Sequence, residues 1–572
     1  MEQGAPAANH NRSALVPIVI AILASAVGTG LRIAEFMRDR PLWLDEAMLA
    51  LNIGARSMGQ LAWPLDYDQT APILYLWIER IAVSVGGVSE RSLRALPFVA
   101  GIAVIPLTWV LARRIAGAAT ASIAIVLVAV SVTLVTFAAE AKQYGVDPLA
   151  TGLAVWLALR VAANPHARTA WLRLTAGGVV CLLLSQPAVF TLGGVAIALL
   201  VDRETRRSSD GRRRLAIAAV SWAIVFSMLY LLIYRSAASS AYMRAFWDGT
   251  FLDPRAPDFV QRLRFFAISA LAAPTLGAAL FVPGSVFALL WLAGVWTLWR
   301  RGRVGAVLVA APLVLSAVAC ALGLYPVMDR LFLFAAPLTL IAYASLVARL
   351  VELAPVRVAT GALAATTGAI AIAVAPTHVD RIAHPVYFAV GKQIIADVDS
   401  MSRGEPVYVA ARSFPLWIFY TTDWNAPDVD RLRWAASIAG AAAPAHNNAP
   451  PRGRARLDSA ELLARRYRGR AEIIGMPTGR QYRTSTRSLN PTLTPDQLAL
   501  PLQPDSGWAE LEVTRMAAIA RPRLWVFGSH MFALDGAEPG LVAELQRRNV
   551  RLVMERRQGS TVAYHVEFPG EP

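Results

Sequence analysis

Two adjacent carboxylates, Asp45 and Glu46, sit in the run Pro41-Leu42-Trp43-Leu44-Asp45-Glu46-Ala47-Met48-Leu49-Ala50, where an apolar turn gives way to a helical pattern. Carboxylates of this kind can take a proton from a hydroxyl or share a divalent cation with a substrate. The plainer role is capping, because the helix dipole favours acidic groups in the first turn by about 0.3–1 kcal/mol. Further charged groups recur along the chain. Asp66-Tyr67-Asp68-Gln69-Thr70-Ala71-Pro72 precedes a Pro-initiated amphipathic helix, and Ser89-Glu90-Arg91-Ser92-Leu93-Arg94 opens an apolar stretch. Glu140-Ala141-Lys142-Gln143-Tyr144 lies between two more such stretches, and Asp329-Arg330 stands at the mouth of another.

The elements that must carry these groups are membrane spans. Of 572 residues, 56% are hydrophobic and 16% charged, and the mean hydropathy is +0.46. An ordinary soluble domain has about 45–50% apolar and about 25% charged residues. With about 20 apolar residues needed per crossing, roughly eleven crossings are expected, near 14–34, 93–112, 119–138, 146–162, 170–184, 187–201, 215–234, 282–299, 304–323, 331–350 and 356–375. Gln186-Pro187 divides the 170–201 stretch into two short helices, and 262–281 could lie flat on the membrane. The first apolar run reads as a retained helix, since no small-residue cleavage site follows it. Cys181 and Cys320 both sit in apolar stretches, which leaves no disulfide scaffold and no CxxC metal site.

The formal charge of +16 comes from 55 Lys and Arg against 39 Asp and Glu. Much of it lies in short clusters: Arg113-Arg114; Arg160 with Arg168 and Arg173; Arg203 to Arg214; Arg300, Arg301 and Arg303; and Arg349 with Arg357. All fall on one side of the eleven-span arrangement, which the positive-inside rule assigns to the cytoplasm. Nucleic acid is therefore not the expected partner. The opposite, extracytoplasmic side receives loop 35–92, the turn near 139–145, the loop 235–281, the turn 324–330 and everything beyond 376.

The expected division is a transmembrane domain over 1–375 and an extracytoplasmic α/β domain over 376–572. In the latter, strands are expected at 406–410, 416–420, 471–474, 524–527, 552–554 and 562–566 and helices at 386–400, 458–467, 506–518 and 538–549. An Ala/Pro/Asn/Gly-rich insertion is expected at 438–456.

In order and spacing, Asp45-Glu46, Asp68 to Pro72, Ser89 to Arg94, Glu140 to Tyr144 and Tyr325 to Pro337 resemble the GT-C glycosyltransferases. The likeness is to the branch of protein mannosyltransferases, aminoarabinose transferases and bacterial lipopolysaccharide-sugar transferases. It spans roughly 14–350 and includes the topology. The chain departs from the pattern at Lys142, where relatives often carry Arg, and at a single Pro72 where a Pro-Pro pair is common. Lys keeps the charge but loses the bidentate fork.

The resemblance implies a polytopic bacterial inner-membrane enzyme that moves a sugar from a polyprenyl-phosphate donor to an acceptor hydroxyl on an envelope glycan, lipid or protein. It implies Asp45 as general base, and Asp45 and Glu46 as the catalytic pair. Lys142, Arg330, Gln69 and Arg94 would meet the donor phosphate, with Asp68, Tyr144 and Tyr67 contacting sugar or acceptor. Asp68 and Glu46 are the candidate ligands of a divalent cation, whose requirement stays open. With Asp45 as base the transfer inverts; a double displacement would need a second carboxylate about 5–5.5 Å away. Arg330 could instead anchor a helix end, Lys142 and Glu140 could form a plain ion pair, and Trp43 and Tyr67 could belong to an interfacial aromatic belt. A lipid-linked glycan transporter or a non-catalytic scaffold are the competing functions. A transporter is disfavoured because no internal repeat is evident and the acidic loop lies outside the spans.

Overall fold

The computed structural model describes residues 7–235, 238, 243, 247, 249–276, 283–384, 391–410, 413–425, 464–467, 470–475, 505–520, 522–529 and 537–569. A helix stands at each of the eleven expected crossings. Seven helical stretches among the described residues are long and apolar enough to span a membrane: Leu15–Met37, Ser92–Ala116, Gln143–Ala163, Ser209–Tyr234, Arg303–Ala321, Asp329–Glu352 and Val358–Ala383. The shortfall against eleven has local causes. Ser131 breaks the third stretch into Ala118–Val130 and Val132–Phe137 by capping the second piece at Leu134. Pro187 separates Arg168–Leu184 from Ala188–Val201. Gly284–Arg301 ends in two arginines. Residues 259–276 are helical throughout.

The elements that place the charged groups are α1 (Ala7–Met37), α2 (Leu44–Ala55), α3 (Ile73–Gly86), α4 (Ala95–Ala116), α5 (Ala118–Val130), α6 (Val132–Phe137) and α7 (Asp147–Ala163). Arg32 in α1 is fully buried and donates to the carbonyls of Val128 and Ala129, satisfying acceptors that the last turn of α5 leaves open. That tie fixes the break at Ser131, and with it the direction from which residues 139–142 reach the site. Past α7 and its neighbours, the basic ends also meet one another: Arg301 donates to the carbonyl of Ala116 and Arg214 to that of His166.

Beyond the last span lies a six-stranded mixed sheet in the order β2-β3-β1-β4-β6-β5, made of β1 (Val407–Val409), β2 (Ala464–Tyr467), β3 (Arg470–Ile474), β4 (Arg523–Gly528), β5 (Arg551–Gln558) and β6 (Thr561–Glu567). β1 runs parallel to β3 and β4, and the remaining pairs are antiparallel. Helices occupy Gly391–Met401, Asp505–Ile519 and Ala537–Arg547.

Two expectations need correcting. Residues 416–420 form not a strand but the helix Phe414–Thr421. Its six residues Phe414 to Phe419 are all buried, so the run carries no amphipathic period to distinguish a core helix from a core strand, and Pro415 suits a first turn. Residues 464–467 are strand rather than the end of a helix. The expected insertion at 438–456 lies outside the described residues.

The helix Phe414–Thr421 does not stay with the sheet. Leu416, Trp417 and Ile418 share one hydrophobic core with Leu42, Leu49 and Ile53 of the acidic loop and with Trp525 and Phe527 of β4. Where Trp424 crosses α2, only glycine fits: a Cβ on Gly54 would stand 2.8 Å from the Trp424 ring.

Candidate active site

The loop from Pro41 to Gly86 folds back on itself before it meets the spans. Asn52 on α2 exchanges hydrogen bonds with the Asp66 backbone, accepting at 2.9 Å and donating at 3.3 Å. Arg56 closes the same turn by pairing with the Asp66 carboxylate at 2.5 Å. The next residue, Tyr67, is buried and takes φ 62°, ψ 29°, a left-handed conformation that costs a residue other than glycine on the order of 1–3 kcal/mol. The consequence is a sharp reversal that brings Gln69 under α2. The side chain of Asp68 lies outside the described residues.

Asp45 and Glu46, one step apart on α2, face different partners. Glu46 is fully buried, and both of its oxygens are taken. Oε1 accepts from Arg94 Nε at 3.0 Å and from the Ala141 N–H at 2.7 Å; Oε2 accepts from Arg94 Nη2 at 2.9 Å and from the Trp43 N–H at 3.2 Å. This bidentate pair sews together the loop, the start of α4 and the turn before α7. Arg94 is also buried and donates from Nη1 to the Arg40 carbonyl at 2.6 Å and from Nη2 to the Pro41 carbonyl at 3.5 Å. Burial alone would raise the Glu46 carboxyl, but Arg94, Arg40 and the Ala141 N–H hold it below its ordinary value.

Asp45 retains an open side, with its side chain 23% exposed while that of Lys142 is only 4% exposed. Lys142 Nζ lies 3.1 Å from Asp45 Oδ1 and donates to Gln69 Oε1 at 2.5 Å; Gln69 Nε2 in turn donates to Asp45 Oδ1 at 3.3 Å. Burial would raise the Asp45 carboxyl, yet Lys142, Arg330 and the two hydrogen bonds outweigh it and keep the group below its ordinary value. Burial pulls the Lys142 ammonium down, against the attraction of Asp45. Both charges are thus maintained by each other.

Arg330 completes the arrangement from the far part of the sequence. Its guanidinium carbon stands 5.7 Å from the centroid of the Trp43 ring and 5.7 Å from that of Tyr144, a cation held between two π faces. Its backbone N–H donates to the Asp329 carboxylate at 2.7 Å, and its Nε has no hydrogen-bond partner among the described residues. Tyr144 is steadied edge-on against Phe137, with ring centroids 5.9 Å apart. The turn between Lys142 and Asp147 needs Gly145, where a Cβ would fall 2.4 Å from the Phe137 carbonyl oxygen.

Of the residues singled out in the sequence, Asp45, Lys142, Gln69, Arg330 and Tyr144 converge. Tyr67 supports Gln69 through its carbonyl at 3.4 Å. Glu46 and Arg94 meet each other. Sequence reasoning missed Arg40, which is buried and lies 3.8 Å from the Glu140 carboxylate. Burial and the neighbouring Glu46 raise the Glu140 carboxyl to about 7, against Arg40 and Arg330. The signal was faint: an Arg just before Pro41, in a loop already rich in charge. Among the described residues, no three His, Cys, Asp or Glu side chains gather as a metal cluster.

An open carboxylate, two cations and an amide donor at one end of a helix bundle can bind a phosphate and accept a proton beside it. Residues 70–233 match the family model described as dolichyl-phosphate-mannose-protein mannosyltransferase. Over that segment the chain is similar to this family of glycosyltransferases. The segment includes Thr70, Arg94, Lys142 and Tyr144, although Asp45 and Arg330 lie outside it. No curated protein matches the chain in sequence.

Solved structures similar to this chain include ArnT from Cupriavidus metallidurans in the apo state, at 12% identity and TM-score 0.44, covering 95% of this chain and 97% of that one. ArnT bound to undecaprenyl phosphate aligns at 13% identity and TM-score 0.43, with the same coverage. The apo oligosaccharyltransferase of Archaeoglobus fulgidus aligns at 13% identity and TM-score 0.41, covering 92% of this chain and 71% of that one.

Proposed function

We propose that this glycosyltransferase moves a sugar from a polyprenyl-phosphate donor to an acceptor hydroxyl at the extracytoplasmic face, with Asp45 as general base. The single observation that carries this reading is the contact between Asp45 and Lys142, because it gives one carboxylate and one cation a shared, partly open position. The donor phosphate competes with Asp45 for Lys142. As the glycosidic C–O bond breaks, charge grows on the phosphate oxygen, and Lys142, Arg330 and the Gln69 amide stabilise it. Asp45 loses part of its electrostatic hold at that moment, its affinity for a proton rises, and it takes the acceptor hydroxyl's proton.

The same arrangement supports an inverting course in this reading. A retaining route needs a second free carboxylate as nucleophile, and Glu46, the nearest in sequence, has its oxygens occupied by Arg94, Ala141 and Trp43. In this reading Glu46 and Arg94 hold the loop in place, and Tyr144 and Trp43 orient Arg330. The sheet-bearing part after residue 376 lies on the same extracytoplasmic side of the bacterial inner membrane, opposite the arginine clusters.

Reconstitution of the purified protein with lipid-phosphate sugars tests the proposal by comparing the parent with Asp45→Asn. The amide keeps the size and removes the base, so transfer should fall by about 10²–10⁴ with folding intact. Transfer at the parental rate would overturn the base assignment. No transfer by the parent from any donor would favour a transporter or a scaffold.

A further inference from the structure

We propose that the part of the chain beyond the last span positions the Asp45 loop, and that Tyr420 is the residue through which it does so. The helix Phe414–Thr421 brings the Tyr420 hydroxyl to the start of the acidic run. It accepts a hydrogen bond from the Leu42 N–H at 2.7 Å and donates to Glu90 Oε1 at 3.1 Å. The same Glu90 oxygen accepts from Lys392 Nζ at 2.7 Å, and that ammonium also lies 5.8 Å from the Tyr420 ring centroid. One hydroxyl therefore links three distant segments: the residue three positions before Asp45, the approach to α4, and the C-terminal part.

The link is placed where it can matter. Leu42 is fully buried, and the Trp43 N–H next to it caps on Glu46. Trp43 is also one face of the Arg330 sandwich. A shift at Leu42 thus propagates in two directions, toward Asp45 on the first turn of α2 and toward the cation across the site. Burial and the neighbouring Glu90 raise the Tyr420 phenol well above its ordinary value, so it remains a proton donor to Glu90. Among the described residues the Tyr420 hydroxyl is the acceptor of the Leu42 N–H, and a buried amide left without one is costly. The charged groups around Tyr420 are Glu90, Lys392 and Arg94. Asp45 itself meets Lys142 and Gln69, so Tyr420 acts through the backbone and is a positioning residue.

This inference rests on the transfer reading for its consequence, but its first test does not. In Tyr420→Phe, hydrogen–deuterium exchange over residues 41–46 should accelerate at least tenfold while exchange over α7 stays unchanged. With the donor assayed in parallel, kcat should fall about five- to twentyfold at an unchanged donor KM. Glu90→Gln, which keeps the acceptor oxygen, should retain parental exchange over 41–46.

Unchanged exchange over 41–46 in a Tyr420→Phe protein of parental Tm overturns the proposal. So does faster exchange with parental kcat. Faster exchange in a protein whose parent transfers no sugar would instead sink the transfer reading and leave the mechanical link standing.

Discussion

Lys142 Nζ stands 3.1 Å from Asp45 Oδ1, yet the two residues are held by separate parts of the chain: Asp45 by the first turn of α2, Lys142 by the turn that precedes α7. Glu46, next to Asp45, receives the N–H of Ala141, next to Lys142. The inner pair fixes the distance of the outer pair, and the outer pair is left free to react to a substrate.

Lys142 should affect both donor binding and turnover. Lys142→Met removes the cation that touches Asp45, and both the donor KM and kcat should worsen, with kcat/KM falling by about 10²–10³. Lys142→Arg should recover part of this loss if the site tolerates a planar fork. Steady-state kinetics over a range of donor concentration distinguishes these outcomes.

Breaking the inner pair should appear in stability rather than in binding alone. Glu46→Ala leaves Arg94 buried without its carboxylate, a change that costs about 3–5 kcal/mol. The expected result is a large drop in Tm in detergent. A Tm within one degree or so of the parent would mean that the pair is not buried as described.

Glu140 gives the protein a pH signature. Its carboxyl is raised from 4.5 to about 7 in the folded chain, so the folded state holds a proton that the unfolded state releases at lower pH. The associated stability is fully present below pH 4.5 and is lost as the pH rises through 7. Thermal unfolding followed from pH 5 to 8 should show this decline, and Glu140→Gln should flatten it. An unchanged slope in the variant would assign the decline to another group.

The crossing of α2 and Trp424 is testable by size alone. Gly54→Ala places a methyl 2.8 Å from the indole ring and should cost about 1–3 kcal/mol through overpacking. Trp424→Leu in the same chain should recover most of the loss. Additive losses in the double variant would show that the two residues are not in contact.

The side of the membrane can be read by labelling. Cys181 and Cys320 are buried, so Arg556→Cys on the exposed face of β5 introduces a single reactive thiol. An impermeant maleimide added to intact spheroplasts should label it. Labelling only after lysis would reverse the assigned orientation.

Within residues 14–375 the sequence by itself determined where helices form, because apolar length is a local property that the bilayer reads directly. It also exposed Asp45, Lys142 and Arg330 as charges at helix mouths. It could not divide Asp45 from Glu46, since both sit on one turn and differ only in what comes to meet them. Only the tertiary structure, by bringing Arg94 and the Ala141 N–H to one and Lys142 to the other, made Glu46 a closed joint and left Asp45 open. The same holds for residues 416–420. Their uniform apolarity fits a core strand as well as a core helix, and the choice was made by the packing of Leu416, Trp417 and Ile418 against a loop more than 350 residues earlier. Contacts between segments so far apart depend on where each is carried in space, which no local pattern of side chains encodes.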